Sequence, residues 1–335
     1  MKAAPVSPWV LRVASRPESG GGHVRRCLAL ATAIAKRAPV VFVLDPEGGQ
    51  WIEPLRTAGF PSQLETGAPL PCACAILDGY QFDPSERLRW RHNADCLAII
   101  DDYGASLPEG DVLVRIATPA APPPTESQLV LAGLAYALID ANLATVPRPP
   151  FGPAGKHLLV SFGLRDSANA TSRTVRALAR LAADDRPRAM TVVMGSGAPH
   201  LAEVNGLVGE LGASARLRTD VDDMLRLYRD ADCAIGAGGV GLLERMATGL
   251  PSLTVITAEN QRVAVTVAAS NNGTLSLGGI GDLDDATLAN QLKLFVGDQT
   301  LRTILSSGAR SCVDARGSER VATALLTQVQ RGCPR

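Results

Sequence analysis

The stretch Ser19-Gly20-Gly21-Gly22-His23-Val24-Arg25-Arg26-Cys27 puts consecutive glycines and a histidine between an apolar run (residues 9–14) and a helical pattern (residues 27–35). This is a strand, a glycine turn and a helix start. Glycines let backbone approach a ligand closely, because no Cβ stands in the way. The free N–H groups of the helix's first turn favour an anion. A histidine there can act as acid or base near neutral pH. The residues alone leave a second reading open, a phosphate cradle or structural turn with a bystander histidine. Further along, Gly236-Ala237-Gly238-Gly239-Val240-Gly241 leads into Leu242-Leu243-Glu244-Arg245. Glycines opening a helix after a buried strand make a diphosphate seat, although G-x-G-x-x-G is matched only roughly. Glu244 is placed either to accept ribose hydroxyls or simply to suit the positive end of the helix.

Other polar groups collect at expected strand ends. Ser161-Phe162-Gly163 is a further turn, with Asp166 and Asn169 suited to capping the next helix. Ala258-Glu259-Asn260-Gln261 either caps a helix or hydrogen-bonds a polar ligand. Asp78-Gly79-Tyr80 and Asp101-Asp102-Tyr103 follow apolar runs, where an aspartate serves a ligand or a cap equally well.

The elements that must hold these groups alternate. Apolar runs at 39–45, 73–78 and 96–101 interleave with helical patterns at 50–58 and 83–91. The second half repeats the scheme, with a strand and turn at 156–163, a strand at 189–195, a strand and glycine turn at 232–239 and a strand at 253–256. Its helices fall at 171–183, 222–230 (capped by Asp220 or Asp222), 240–248 and 260–269. Such alternation predicts parallel sheets with helices on both faces. Residues 118–125 are proline-rich and read as a loop, and Pro147, Pro149, Pro150 and Pro153 mark a stiff connector. The expected organisation is an N-terminal Rossmann-like domain over 1–146, a linker over 147–155 and a second domain over 156–315. A terminal helix over 316–335 is expected to pack back on the first domain. Two such domains are expected to face each other across a ligand cleft.

The chain has 335 residues, 33 basic and 33 acidic, and so no net charge, which argues against a nucleic-acid partner. The seven cysteines show no zinc-site spacing: Cys72 and Cys74 stand one residue apart, and buried thiols in a reducing compartment are expected. No signal-peptide core or membrane-length apolar run is present, so the expectation is a cytoplasmic protein without stable membrane insertion. Arg87-Leu88-Arg89-Trp90-Arg91 reads as a solvated helix face or a small basic and apolar patch.

The ordered set of motifs resembles the UDP-sugar hydrolases of pseudaminic acid biosynthesis. That group shares the GT-B fold with the peptidoglycan N-acetylglucosaminyltransferases. The resemblance rests on Gly20, Gly22, His23, Arg26, Cys27, Leu30 and Ala31 near the start, then Asp78 and Tyr80, then Asp101 and Asp102, then Gly133, Tyr136 and Leu138. It continues through Ser161, Phe162, Gly163 and Asp166, then residues 231–239 with Glu244, then Gly249 to Pro251 and Glu259 to Gln261, and ends at Val313, Asp314, Gly317, Arg320 and Val321. It implies an α/β, GT-B-like fold and hydrolysis of a UDP-linked diacetamido-trideoxy sugar, as in flagellin glycosylation. His23 would activate water, with no metal and no cofactor. Gly22, Arg26, Tyr80, Asn260 and Gln261 would contact the sugar, and Ser161, Gly163, Gly238, Gly239, Val240 and Glu244 the UDP. Three departures, at Ala14, Leu164 and Val240-Gly241, bear on the sugar and the outcome. The alternatives are a GT-B glycosyltransferase with a UDP-sugar donor and a non-catalytic nucleotide-sugar binding protein.

Overall fold

The computed structural model describes residues 7–19, 21–102, 110–117 and 128–333. Gly20, Tyr103 and the proline-rich stretch 118–125 lie outside the described residues. The chain divides into two compact units, one formed by Met1–Ala141 with Arg316–Arg335, the other by Asn142–Ala315.

The first unit holds strands β1 (Trp9–Val13), β2 (Val40–Leu44), β3 (Ser62–Leu64), β4 (Cys72–Asp78), β5 (Ala94–Ile100), β6 (Val112–Arg115) and β7 (Leu129–Ala132). Helices α1 (Gly22–Ile34), α2 (Ile52–Thr57) and α3 (Pro84–Arg91) connect them. The strands form one parallel sheet in the order β3-β2-β1-β4-β5-β6-β7. Strand β1 is buried throughout and β4 at all but Ala73, as a parallel sheet covered on both faces requires. Between β1 and β4 the strand order reverses direction, and ligands of open α/β sheets collect at the carboxyl end of such a switch point.

The second unit repeats the plan with β8 (His157–Ser161), β9 (Ala189–Met194), β10 (Ala215–Thr219), β11 (Cys233–Ala237), β12 (Ser252–Ile256) and β13 (Leu275–Gly279). Its sheet runs β10-β9-β8-β11-β12-β13, again parallel, with the switch point between β8 and β11. Helices α4 (Ala170–Arg180), α5 (Leu201–Glu210), α6 (Met224–Asp230), α7 (Val240–Ala247), α8 (Arg262–Ser270), α9 (Asp285–Gly297) and α10 (Gln299–Cys312) complete it. The cap of α6 is Asp223, whose carboxylate accepts from Arg226 N at 3.0 Å, rather than Asp220 or Asp222. The expectation of two Rossmann-like domains holds.

The proline run is not a free connector, because the second unit ties it down. Arg148 donates to the carbonyls of Thr248 (2.9 Å), Ala231 (2.8 Å) and Tyr228 (2.5 Å). Arg302 donates to Gly152 O at 2.6 Å, and Gly155 N to Val296 O at 2.8 Å. Burial, and next the charge of Arg310, push the Arg148 guanidinium down to about 10, while its donors are met by the three carbonyls.

The terminal helix, Gly317–Arg331, packs against α1 in the first unit. A Cβ at Gly317 would stand 2.3 Å from Ala137 O, so only glycine lets the helix start lie directly on that backbone. Ser318 Oγ donates to Ile139 O (3.2 Å) and Arg320 Nη1 to Ala135 O (2.8 Å). Two motifs of the sequence, Gly133-x-x-Tyr136-x-Leu138 and the one containing Gly317 and Arg320, are thus the two halves of one docking joint. Gly317→Ala overpacks that joint and is expected to destabilise the first unit by about 1–3 kcal/mol. Urea unfolding of the full chain, followed by circular dichroism, reads this as a lowered midpoint, and an unchanged midpoint would show that the joint carries no stability.

Candidate functional site

Helix α1 buries residues 23, 24, 26, 27, 30, 31, 33 and 34, among which 23, 26, 27, 30, 31 and 34 have the spacing of one helical stripe. The stripe that packs the helix on the sheet therefore also carries His23, Arg26 and Cys27. They meet Asp78, the last residue of β4, across the switch point: Val13 and Asp78 are register partners, and α1 follows β1.

Asp78 is fully buried and accepts from every side. His23 Nδ1 lies 2.7 Å from Oδ1, Arg26 Nε donates to Oδ2 at 2.6 Å and Nη2 to Oδ1, and Cys27 Sγ donates to Oδ2 at 3.3 Å. Burial alone would raise the Asp78 pKa, but the charges of Arg26 and His23 and their hydrogen bonds overcome it and hold the carboxyl well below the ordinary range. An ionised carboxylate has no proton to give, so the proton of this contact is assigned to His23 Nδ1. When the ring is neutral, Nε2 then carries the lone pair, the tautomer a general base needs. Burial and Asp78 push the Cys27 thiol up, so it stays a neutral donor rather than a nucleophile.

Arg26 is expected from the sequence to touch sugar, but its guanidinium is committed. Besides Asp78 it donates from Nη1 to Asp102 Oδ2 at 2.7 Å. Burial lowers the Arg26 pKa, and the two carboxylates more than reverse this. Asp102 Oδ2 also accepts from Tyr80 Oη at 2.7 Å. The Tyr80 ring meets that of His23 edge-on, with centroids 4.7 Å apart. Tyr80 is 44% exposed while His23 is 7% exposed, so the tyrosine is the solvent-facing wall of the group. Asp101 does not join this group but pairs with the buried Arg115 at 2.9 Å. Ala14 is fully buried, and the nearby Arg12 pairs with Asp45 (2.9 Å), Glu65 (2.6 Å) and Glu86 (3.3 Å) beneath the Phe82 ring.

In the second unit the two glycine turns flank the other switch point, with Ser161 and Gly236 in register. The loop holding Gly163 (φ +95°) leads to Asp166, whose oxygens accept from Ala170 N (3.0 Å) and Thr171 N (2.7 Å) at the start of α4. Asp166 is thus a cap. Asn169 makes no capping bond and donates from Nδ2 to Glu203 at 3.0 Å.

The diphosphate seat differs from its expected form. Gly238 N donates to Gln261 Oε1 at 3.1 Å, so this N–H is already taken. The same oxygen accepts from Thr257 N (3.0 Å) and Thr257 Oγ1 (3.2 Å), which makes Gln261 a staple of the turn, not the sugar ligand it was expected to be. A Cβ at Gly238 would meet Val265 Cγ2 at 2.3 Å, so this glycine is required by helix packing. Gly239 has open space where a Cβ would stand and opens α7, leaving the first N–H groups of that helix, at Val240 and Gly241, as the anion-facing donors. Glu244 Oε2 accepts from Tyr228 Oη at 2.6 Å, an orienting contact the sequence did not suggest. Asn260 lies in the turn Glu259–Gln261 and is partly buried.

Two of the three arginines of α3 are paired with acids rather than left in a basic patch. Arg89 meets Glu65 and Glu86, Arg91 meets Asp111 at 3.0 Å, and Trp90 is buried. Among the described residues no helix is long and apolar enough to cross a membrane.

The fold is that of the GT-B glycosyltransferases. Solved structures with this fold include MurG of Acinetobacter baumannii (16% identity, TM-score 0.67, covering 96% of this chain and all of that one). The calicheamicin glycosyltransferase CalG4 is a second (15%, 0.66, 99% and 100%), and MnaA of S. aureus in complex with UDP a third (13%, 0.67, 96% and 98%). In sequence the chain is 33% identical over 172 residues to the spore coat polysaccharide biosynthesis protein SpsG of Bacillus subtilis (strain 168), a match over 51% of this chain and about half the length of that relative. No protein-family model matches.

Asp78 also sets an acid limit on stability. Its native pKa is depressed, so its contribution is fully present above the unfolded carboxyl's ordinary value near 3.8 and is lost as pH falls from there toward the native value. Asp78→Asn is expected to flatten the acid limb below about pH 4. Because it leaves Arg26 without its closest counter-charge, it is also expected to cost about 3–5 kcal/mol at neutral pH. Urea midpoints measured from pH 2 to pH 7 separate the two effects.

Proposed function

We propose that this protein acts on a UDP-sugar in polysaccharide biosynthesis, and that its reaction is displacement of UDP from the anomeric carbon by a hydroxyl group. The observation that carries the reading is the buried 2.7 Å contact between His23 Nδ1 and Asp78, which orients the ring and leaves Nε2 as base. Support for the nucleotide comes from the UDP complex among the structural neighbours, and for the setting from the polysaccharide role of the sequence relative. His23 Nε2 takes the proton of the acceptor hydroxyl as its oxygen bonds to the anomeric carbon, and the breaking C–O pair leaves with UDP. A positioned base contributes roughly two to four orders of magnitude. Gly239, Val240 and the start of α7 hold the diphosphate, Glu244, oriented by Tyr228, takes the ribose, and Ser161 and Gly163 border the phosphates. Gly22, Tyr80 and Asn260 contact the sugar. Arg26 and Gln261 act behind them, fixing Asp78 and the glycine turn.

Glycosyl transfer is the first reading, in line with the glycosyltransferases among the structural neighbours. Hydrolysis is the second, and one observation favours it. Arg89 and Arg91 of α3 are paired with acids, which leaves that helix with little basic surface for a lipid-borne acceptor. NMR of free UDP and sugar, with a panel of UDP-sugars and acceptors, separates them. UDP release that requires an acceptor establishes transfer, and release into water alone establishes hydrolysis. His23→Ala is expected to lose at least about a hundredfold in rate with UDP affinity unchanged. Equal turnover in that variant would remove His23 from the chemistry, and UDP binding without turnover on any substrate would mark a non-catalytic binder.

A further inference from the structure

The first unit holds a second cluster of chemically capable groups, away from His23. Cys96 lies near the amino end of β5, Asp111 immediately precedes β6, and Cys333 follows the terminal helix. Their two sulfurs and a carboxylate oxygen all lie within 4.8 Å of one another. His23, Asp78 and Asp102 sit at the carboxyl ends of the strands, so this cluster belongs to the opposite edge of the sheet. Two thiols with a carboxylate suit a borderline-soft divalent cation.

The geometry points to a zinc site formed by Cys96, Cys333 and Asp111, anchoring the chain beyond the terminal helix to the edge of the sheet. Asp111 is held as a ligand must be. Its N–H donates to Leu97 O at 2.8 Å, and its Oδ2 accepts from Leu97 N at 2.8 Å and pairs with Arg91 Nη1 at 3.0 Å. Such outer contacts orient a metal-binding carboxylate. Tetrahedral zinc sets its sulfur ligands about 3.8 Å apart, reached here by a side-chain adjustment of about 1 Å. Charge closes as well. Zn²⁺ displaces one proton from each thiol to solvent, two thiolates and one carboxylate give the site a charge of −1, and Arg91 brings it to zero. A water completes the four ligands beside the half-buried Cys333. Metal binding is therefore expected to release two protons and to weaken as pH falls.

The test uses the full-length protein, reduced and stripped with a chelator, then titrated with Zn²⁺ against a chromophoric competitor and separately with Co²⁺. The expected result is one equivalent of Zn²⁺, and a tetrahedral Co²⁺ spectrum with thiolate charge-transfer bands. Cys333→Ser, at a half-buried position near the chain end, is expected to keep the fold and weaken Zn²⁺ at least about tenfold. Cys312→Ser, outside the cluster, is expected to change nothing. The proposal is overturned by non-stoichiometric binding in the wild type, by equal affinity in Cys333→Ser, by a Co²⁺ spectrum lacking sulfur bands, or by a Cys96–Cys333 disulfide in protein purified under reducing conditions.

Discussion

A single buried carboxylate organises the first unit's site. Asp78 has no solvent contact, so its charge must be met by protein donors, and α1 supplies them from one face. Three residues of that helix reach it, and each donor also fixes something else. Arg26 carries the interaction on to Asp102, Asp102 holds Tyr80, and Tyr80 closes against the His23 ring. Removing the carboxylate would release the histidine's tautomer, strand a buried guanidinium and free the tyrosine together. The site is best described as one ion network with a buried imidazole behind an exposed tyrosine.

The second unit uses its switch point differently. There the work is done by backbone rather than by charge, and its glycines are not equivalent. Gly238 is a packing glycine, with α8 pressed against it and its N–H claimed by Gln261. Gly239 is the one with open space. The seat is therefore narrower than a glycine count suggests, a helix start rather than a whole loop. Similar topology thus yields a titratable group at the strand end in one unit and a helix start in the other, because β4 ends in an aspartate while β11 ends in alanine followed by two glycines.

Much of this was legible in the sequence, for local reasons. Strand–turn–helix alternation is written in neighbouring residues, and so were the parallel sheets, the glycine turns and the histidine. The partners of Asp78 were not, since the aspartate and the α1 residues stand far apart in sequence and an acid after a strand serves equally well as a cap. Arg26 and Gln261 read as ligands because long polar side chains near a turn look alike whether they point outward or inward. The fate of the proline run was hidden too. Proline stiffness is visible in composition, but Arg148 and Arg302, which bind its surroundings to the second unit, carry no mark of that role. Only the register of distant strands brings Cys96, Asp111 and Cys333 together, and no spacing rule finds them.

The joint at Gly317 has a consequence for how the protein is made. The second unit is one continuous segment and has all its elements once residue 315 is synthesised. The first unit is interrupted: its sheet is complete early, but the helix that covers α1 is translated only after the second unit. The first unit therefore waits through the synthesis of the entire second unit with the face of α1 uncovered. Contacts of such long sequence separation form late, and exposed apolar surface in a waiting domain invites association with other chains. The order of completion is thus second unit before first, the reverse of the order in which their first strands are translated.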